Sequence, residues 1–314
     1  MDGDHEQFQA IRDDYSSERA LYEDPYFPAH SVSIGETNVQ GPITWKRPGE
    51  LVDHPKFVTD GYSQFDAMQG YLGNCWFVSS CASLTTHLKL FERVIPRDNG
   101  EFDDENYAGM FHFRFWQAGQ WIEVIIDDRL PVNEEDELIF MRSSVQDEFW
   151  GALVEKAYAK LHGSYEALTN GSGERGMLAL TGGITAYYIL NGSQPDDLFE
   201  IVEEYLSQMA LATSGIDENK INSTALQNIG LLDSHEYSVM RVSRLDNMNL
   251  ICLRNPWGHT EWKGDWSDES DMWDGVLEEI KNELHENRNN GEFWMSFQDF
   301  VYYFDDVTIC LQPW

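Results

Sequence analysis

The chain has 314 residues, 42% of them apolar and 13% aromatic, which is enough for a sizeable core and suggests two domains or lobes. Its 55 acidic against 21 basic side chains leave a formal charge of −34, a field that repels nucleic acid and anionic membranes and gathers cations. The apolar runs are too short to span a bilayer, the polar N-terminus MDGDHEQFQAIRDDY lacks a secretory apolar region, and four cysteines at 75, 81, 252 and 310 form neither a disulfide framework nor a zinc pattern.

Taken in chain order, residues 6–20 read as a helix and PITWKRPGEL as an extended stretch that then turns. From Asn74 to about Leu90 apolar residues recur at three- and four-residue steps, predicting a helix whose first turn holds Cys75. MFHFRFWQAGQWIEVIIDDRLPV alternates and breaks at Ala118-Gly119, a hairpin signature. DEFWGALVEKAYAKLHGSY (147–165) is a strong amphipathic helix, and the glycine-rich TNGSGERGMLALTGGIT (169–185) marks a lobe boundary near residue 170. After a helix at about 196–210 the chain turns to strands: EYSVMRVSR and NLICLRN pair about DNMN, and EFWMSF and VTICLQ follow around the short helix QDFVYYF. A helical lobe (1–170) followed by a β-rich lobe (171–314) predicts an α+β protein with a cleft between the two.

The stretch QGYLGNCWF (69–77) sets a cysteine at a helix start behind two glycines. Its bland reading is a buried thiol beside a turn. Its functional reading is a nucleophile, because the unpaired N–H groups of a helix start favour thiolate and glycine allows close approach of a substrate. Attack on an amide carbonyl also needs donors for the oxyanion, and the Cys75 N–H and the Gln69 side-chain amide are the nearby ones. A base must be oriented by a third group. Among nine histidines, His235 opens the strand HEYSVMRV and Asn255 ends its hairpin partner, an arrangement that sets an amide oxygen against an imidazole N–H. Acidic clusters at 101–106, 133–137, 195–205 and 265–279 are mostly solvated surface, with a few carboxylates suited to calcium.

QGYLGNCW at 69–76, HEYSV at 235–239, RNPWG at 254–258 and GEFWMSF at 291–297 together resemble the calpain protease core, and the resemblance extends from EDPYFPA (23–29) to the end of the chain. It implies a papain-like fold of two lobes and calcium-dependent, limited proteolysis of intracellular proteins, with the protein itself cytoplasmic. By position it implies Cys75 as nucleophile, His235 as general base and acid, Asn255 as orienting residue, Gln69 as oxyanion donor and Trp257 as a shield of the His–Asn bond or a wedge between lobes. It further implies two calcium ions. One would be held by Gly61, Asp66 and Glu148 with a carbonyl near Thr59. The other would be held by Glu261, Asp268, Asn290 and Glu292 with a main-chain oxygen near Arg288. None of these loops is an EF-hand. Implied partners are protein substrates, together with regulatory domains or subunits outside this chain.

The sequence departs from the family pattern at several points. Asn74 stands for the usual aspartate before the cysteine, and Ser234 and Glu236 flank His235 in place of glycine and alanine. Asn290 replaces an aspartate ligand, which should lower calcium affinity, and Gln64 stands where an arginine commonly pairs with the acid at Glu292. Two other readings compete: a calcium-responsive pseudoprotease, favoured by Ser234 and Glu236, and a transglutaminase, which requires an aspartate where Asn255 stands.

Overall fold

The computed structural model describes residues 2–37, 39–217 and 221–312. In chain order the elements begin α1 (Asp2–Glu18), α2 (Ser31–Ile34), β1 (Thr44–Lys46), α3 (Pro48–Leu51), α4 (Cys75–Leu84), α5 (Leu88–Val94), β2 (Met110–Gln117), β3 (Gln120–Asp127), β4 (Leu130–Val132) and α6 (Trp150–His162). They continue with α7 (Gly173–Thr181), β5 (Ile184–Ile189), α8 (Leu198–Ser207), β6 (Leu211–Ile216), α9 (Ser223–Asn228), β7 (His235–Leu245), β8 (Met248–Arg254), α10 (Glu278–Leu284), β9 (Glu292–Ser296), α11 (Phe297–Tyr303) and β10 (Asp306–Leu311). Among the described residues no helix is long and apolar enough to cross a membrane.

Two compact units divide the chain. The first holds residues 1–74, 84–171 and 179–182; the second holds 75–83, 172–178 and 183–314. The start of α4, with Cys75, belongs to the second unit in this division.

The first unit is built on α6, buried on every face from Trp150 to Ala159, and on the β2–β3 hairpin. Ala118 and Gly119 both take left-handed backbone (φ 50° and 85°), the geometry that lets a two-residue turn join strands of native twist. The long helix expected from Asn74 instead breaks at Thr85–His87 into α4 and α5. Two successive threonines, β-branched and able to bond local backbone, are poor helix interior.

The second unit carries a six-stranded antiparallel sheet in the order β5-β10-β6-β7-β8-β9, so the last strand inserts between two earlier ones. β7 and β8 pair about Asp246-Asn247, with a bulge between Val239 and Arg241. The glycine-rich stretch read as a boundary contains α7. Its glycines make room rather than bend: a Cβ on Gly176 would lie 2.4 Å from Ser80 Oγ, and one on Gly173 would lie 1.9 Å from Thr213 Oγ1. Strands β5 and β6 also go beyond the sequence reading.

Candidate active site

In the first unit, the loop before α4 is tied to residues 139–142. Tyr71 N donates to Ile139 O (2.8 Å), and Met68 and Arg142 exchange backbone bonds of 2.8 and 3.0 Å. The approach is so close that a Cβ on Gly70 would lie 2.2 Å from Phe140 O, so this glycine is required by contact with backbone. Gln69 Nε2 donates to Leu72 O at 2.7 Å. Asn74 Nδ2 donates to Glu155 Oε1 (2.7 Å), and Met141 N donates to the other oxygen (2.8 Å). Burial pushes Glu155 up to about 7 even against these two bonds. An aspartate at 74 would set a second acid against it, whereas asparagine supplies a donor.

In the second unit, α4 is an almost wholly buried helix whose serines bond to the sheet. Ser79 Oγ donates to Glu236 O (3.0 Å) and Ser238 Oγ donates back to Ser79 O (2.9 Å), which fixes the helix against the first residues of β7. Cys75, at the start of this helix, is partly exposed, while Cys81, Cys252 and Cys310 are buried. His235 opens β7 and Asn255 follows β8, and His235 Nε2 meets Asn255 Oδ1 at 2.8 Å. The amide cannot be turned round, because its Nδ2 donates to the carbonyls of His259 and Thr260, both at 2.9 Å. Its oxygen therefore accepts, His235 Nε2 carries the proton, and Nδ1 is left as the basic nitrogen. The Trp257 ring stands 5.1 Å from the imidazole, and its backbone N–H donates to the same Asn255 oxygen (3.0 Å). Tyr237 presents an edge from 5.0 Å.

Electrostatics leave Cys75 and His235 neutral at pH 7. Burial pushes the Cys75 thiol up to about 11; the N–H groups of Glu236, Trp76 and Cys75 pull the other way, and the Glu236 charge adds to the rise. Burial takes His235 down to about 4, with the Asn255 bond opposing. The helix start, expected to favour thiolate, is outweighed here by desolvation. Among the described residues no hydrogen bond joins Cys75 to His235.

The acids at the two predicted ligand sets also converge, each within its own unit. In the first unit Asp66 and Glu148 are nearly buried. Glu148 accepts from Thr59 N (2.7 Å) and Ser143 Oγ (2.6 Å), and Asp66 accepts from Ser63 N (2.7 Å). Burial, then the adjoining Asp66, raises Glu148 to about 7. Gly61 lies in the same loop in left-handed backbone (φ 95°). In the second unit Glu261 accepts from the N–H groups of Asn290 (2.8 Å) and Gly291 (2.6 Å), Asp268 from Arg288 N (3.0 Å), and Asn290 Oδ1 from Glu292 N (2.9 Å). Burial and then Glu261 raise Asp268 to about 7, with Glu292 contributing. A depression of about 700 Å³ opens beside Glu261, Asp265 and Asp268. Like charges held together beside carbonyls match what a hard dication needs. As they stand, no three acidic, histidine or cysteine side chains among the described residues are gathered closely enough to grip an ion.

A family model described as calpain family cysteine protease matches residues 22–311. The chain belongs to the calpain family. Membership carries the papain-like α+β architecture, and the mixed helix and sheet found here agree with it. The chain is 44% identical over 310 residues to mouse Calpain-9 and 44% identical over 314 residues to Drosophila melanogaster Calpain-B, covering 96% of this chain each time and 44% and 34% of those proteins. It is 41% identical over 318 residues to the bovine Calpain-2 catalytic subunit, covering 98% of this chain and 45% of that one. It thus spans less than half the length of these curated relatives.

Three residues of this calpain-family site escaped the sequence reading. Tyr237 was legible in principle, since period two places it on the His235 face of β7. Glu155 sat unremarked in an amphipathic pattern. Arg241, 51 residues from its partner, holds Glu292 through Nη2 (2.5 Å), so this acid is paired from within its own unit although Gln64 stands where an arginine is usual.

Proposed function

We propose that this chain is the protease core of a calcium-dependent cysteine endopeptidase that cleaves proteins at a limited number of sites. The observation that carries the reading is the oriented imidazole: an asparagine amide, locked by two carbonyls, fixes the His235 tautomer on the strand against which the Cys75 helix is pinned. Cys75 Sγ would attack the scissile carbonyl after giving its proton to His235 Nδ1. The imidazolium, held through Nε2 by Asn255, would return that proton to the leaving amine, and water would release the acyl group. Gln69 would donate to the oxyanion along with the Cys75 N–H; one of its two amide hydrogens is engaged by Leu72 O, which fixes the direction of the other. Trp257 would keep water from the His235–Asn255 bond.

The donors fit calcium in chemical type. Asp66 and Glu148, with carbonyls at Gly61 and Thr59, would hold one ion; Glu261, Asp268, Glu292 and Asn290, with the Arg288 carbonyl, would hold the other. Calcium, when bound, supplies charge that relieves the mutual repulsion of these acids. The carboxylates themselves position the loops that precede Cys75 and follow Asn255.

A second reading, a calcium-responsive pseudoprotease, is favoured by one observation: the Glu236 charge adds to the burial that already raises the Cys75 thiol. Cleavage of a fluorogenic peptide or casein, in calcium and in chelator, separates the readings. Wild type should cleave only with calcium and Cys75→Ala not at all. Cleavage indifferent to calcium removes the switch, and calcium binding without cleavage supports the pseudoprotease. Incorporation of amines into glutamine side chains would point to a transglutaminase instead.

A further inference from the structure

The loop that leads into the Cys75 helix is held by a side chain of α6 that the proposed mechanism does not use. Glu155 lies in the middle of that helix, in a run buried on every face. Its Oε1 accepts from Asn74 Nδ2 at 2.7 Å and its Oε2 from the backbone N–H of Met141 at 2.8 Å. One carboxyl therefore joins two stretches, 68–74 and 139–142, that also meet through backbone. Met68 and Arg142 exchange bonds of 2.8 and 3.0 Å, and Tyr71 N donates to Ile139 O at 2.8 Å. Past Tyr71 the loop is tied where Asn170 N donates to Gly73 O (3.0 Å) and where the Asn74 amide reaches Glu155. All of these residues belong to the first unit, and Cys75 is the next residue of the chain.

Two observations set Glu155 apart from a residue that merely fills space. Asn74 is wholly buried, yet its Oδ1 has no hydrogen-bond partner among the described residues, so Glu155 alone sets the direction of the amide. A carboxylate offers only acceptors and draws the Nδ2 side toward itself. Burial also pushes Glu155 up to about 7 although both bonds favour its ionised form, so the acid is kept against the preference of its surroundings. An apolar side chain of the same length would pack there at lower cost.

We propose that Glu155 is a positioning residue of the oxyanion loop: its two hydrogen bonds lock the Asn74 amide, and with it the run from Gln69 to the Cys75 N–H, against residues 139–142. The inference rests on the reading of Gln69 and the Cys75 N–H as oxyanion donors. What matters is the pair of bonds, not the charge. Glu155→Gln keeps an acceptor for Met141 N, and its Nε2 can donate to Asn74 Oδ1 once that amide makes a half-turn. Glu155→Met keeps the length and offers neither bond.

The test joins two measurements. Hydrogen–deuterium exchange of peptides spanning 67–75 and 138–142, in chelator, needs no activity; steady-state cleavage of a fluorogenic peptide, in calcium, reads the chemistry. In Glu155→Met both peptides should exchange about five- to thirtyfold faster. Its kcat should fall about ten- to a hundredfold with KM within about twofold, while the urea midpoint holds or rises because a buried acid has gone. Glu155→Gln should stay within about threefold of wild type in both measurements. Wild-type exchange in Glu155→Met, equal impairment of the Met and Gln variants, or faster exchange with kcat unchanged each overturns the proposal. If wild type cleaves nothing, the proteolytic reading fails by itself and exchange decides alone: faster in Met than in Gln supports the tether, and equal rates refute it. Should Glu155→Met fail to fold, Asn74→Leu takes its place. It removes one bond, so 67–75 should exchange faster and kcat fall about three- to tenfold, and unchanged values refute the proposal.

Discussion

Buried charge is handled in two opposite ways in this protein. In the first unit, Lys156 on α6 and Asp127 at the end of β3 are both wholly enclosed, yet Lys156 Nζ donates to Asp127 Oδ1 (2.6 Å) and to the carbonyls of Asp127 (2.8 Å) and Arg129 (2.6 Å). Arg129 and Lys160 extend the network to Asp127 and Asp24 at 2.7 and 2.6 Å. Burial alone would raise Asp127, but Lys156 and Arg129 prevail and draw it down to about 2. Around residues 261–292 of the second unit acids face acids, and Asp268 moves the other way, to about 7. The first arrangement is complete in itself and serves stability. The second keeps Asp268 among acids, a pattern that an added cation would relieve.

Breaking the complete network should have the largest effect. Lys156→Met leaves Asp127 buried without its main partner and should lower stability by about 3–5 kcal/mol in urea unfolding. Adding Asp127→Asn should recover a large part of that loss. If the single variant is as stable as wild type, the network is not what holds β3 to α6. Next in size comes cation binding by the incomplete region. Calcium at about a hundred times its Kd should stabilise the folded chain by about 2.7 kcal/mol, seen as a rise in Tm. Asp268→Asn should shrink that rise, while magnesium, which prefers tighter octahedral geometry and keeps its waters, should give less. Equal response to both ions would argue against a calcium site.

These contrasts explain what could be read from the sequence. Cys75, His235 and Asn255 sit in short motifs, and a strand period plus a hairpin suffices to set His235 beside Asn255. The β2–β3 hairpin was likewise written in alternation and in Ala118-Gly119. What stayed hidden depends on distant contact. Glycines 173 and 176 look like loop residues, but they sit in α7 because Thr213 and Ser80 occupy the space of their absent side chains. Nor does local pattern say which acids acquire a cation: Lys156 finds Asp127 across 29 positions and Arg241 finds Glu292 across 51, whereas Asp268 meets chiefly other acids.

A smaller effect is expected at His112, buried between Asp98 (3.2 Å) and Glu123 (2.9 Å) in the first unit, with Phe8 of α1 stacked on its ring at 3.9 Å. Burial disfavours the imidazolium, but the two carboxylates prevail and raise its pKa. A raised histidine stabilises fully below its unfolded value near 6.5, and the contribution disappears as pH climbs through the higher folded value. His112→Gln should therefore cost about 1 kcal/mol at pH 6 and progressively less toward pH 8. A loss that is the same at both pH values would assign His112 a packing role only.

The smallest effect tests how the region's own tethered cation bears on added calcium. Arg241 bonds Glu292 while its guanidinium lies 5.4 Å from the Trp294 ring, and half of its side chain is open to solvent. Because the pair is partly exposed, breaking it should barely move Tm in the absence of calcium. With calcium the sign reverses from the usual expectation for a lost salt bridge. Arg241→Met removes positive charge beside a carboxylate assigned to the second ion, so affinity should rise, by about two- to fivefold at low salt and less at high salt, where the guanidinium is screened. Isothermal titration at two ionic strengths reads this directly. Weaker binding in Arg241→Met would mean that Arg241 holds Glu292 in its liganding position, and the acid-rich region would then be organised by its own cation before any calcium arrives.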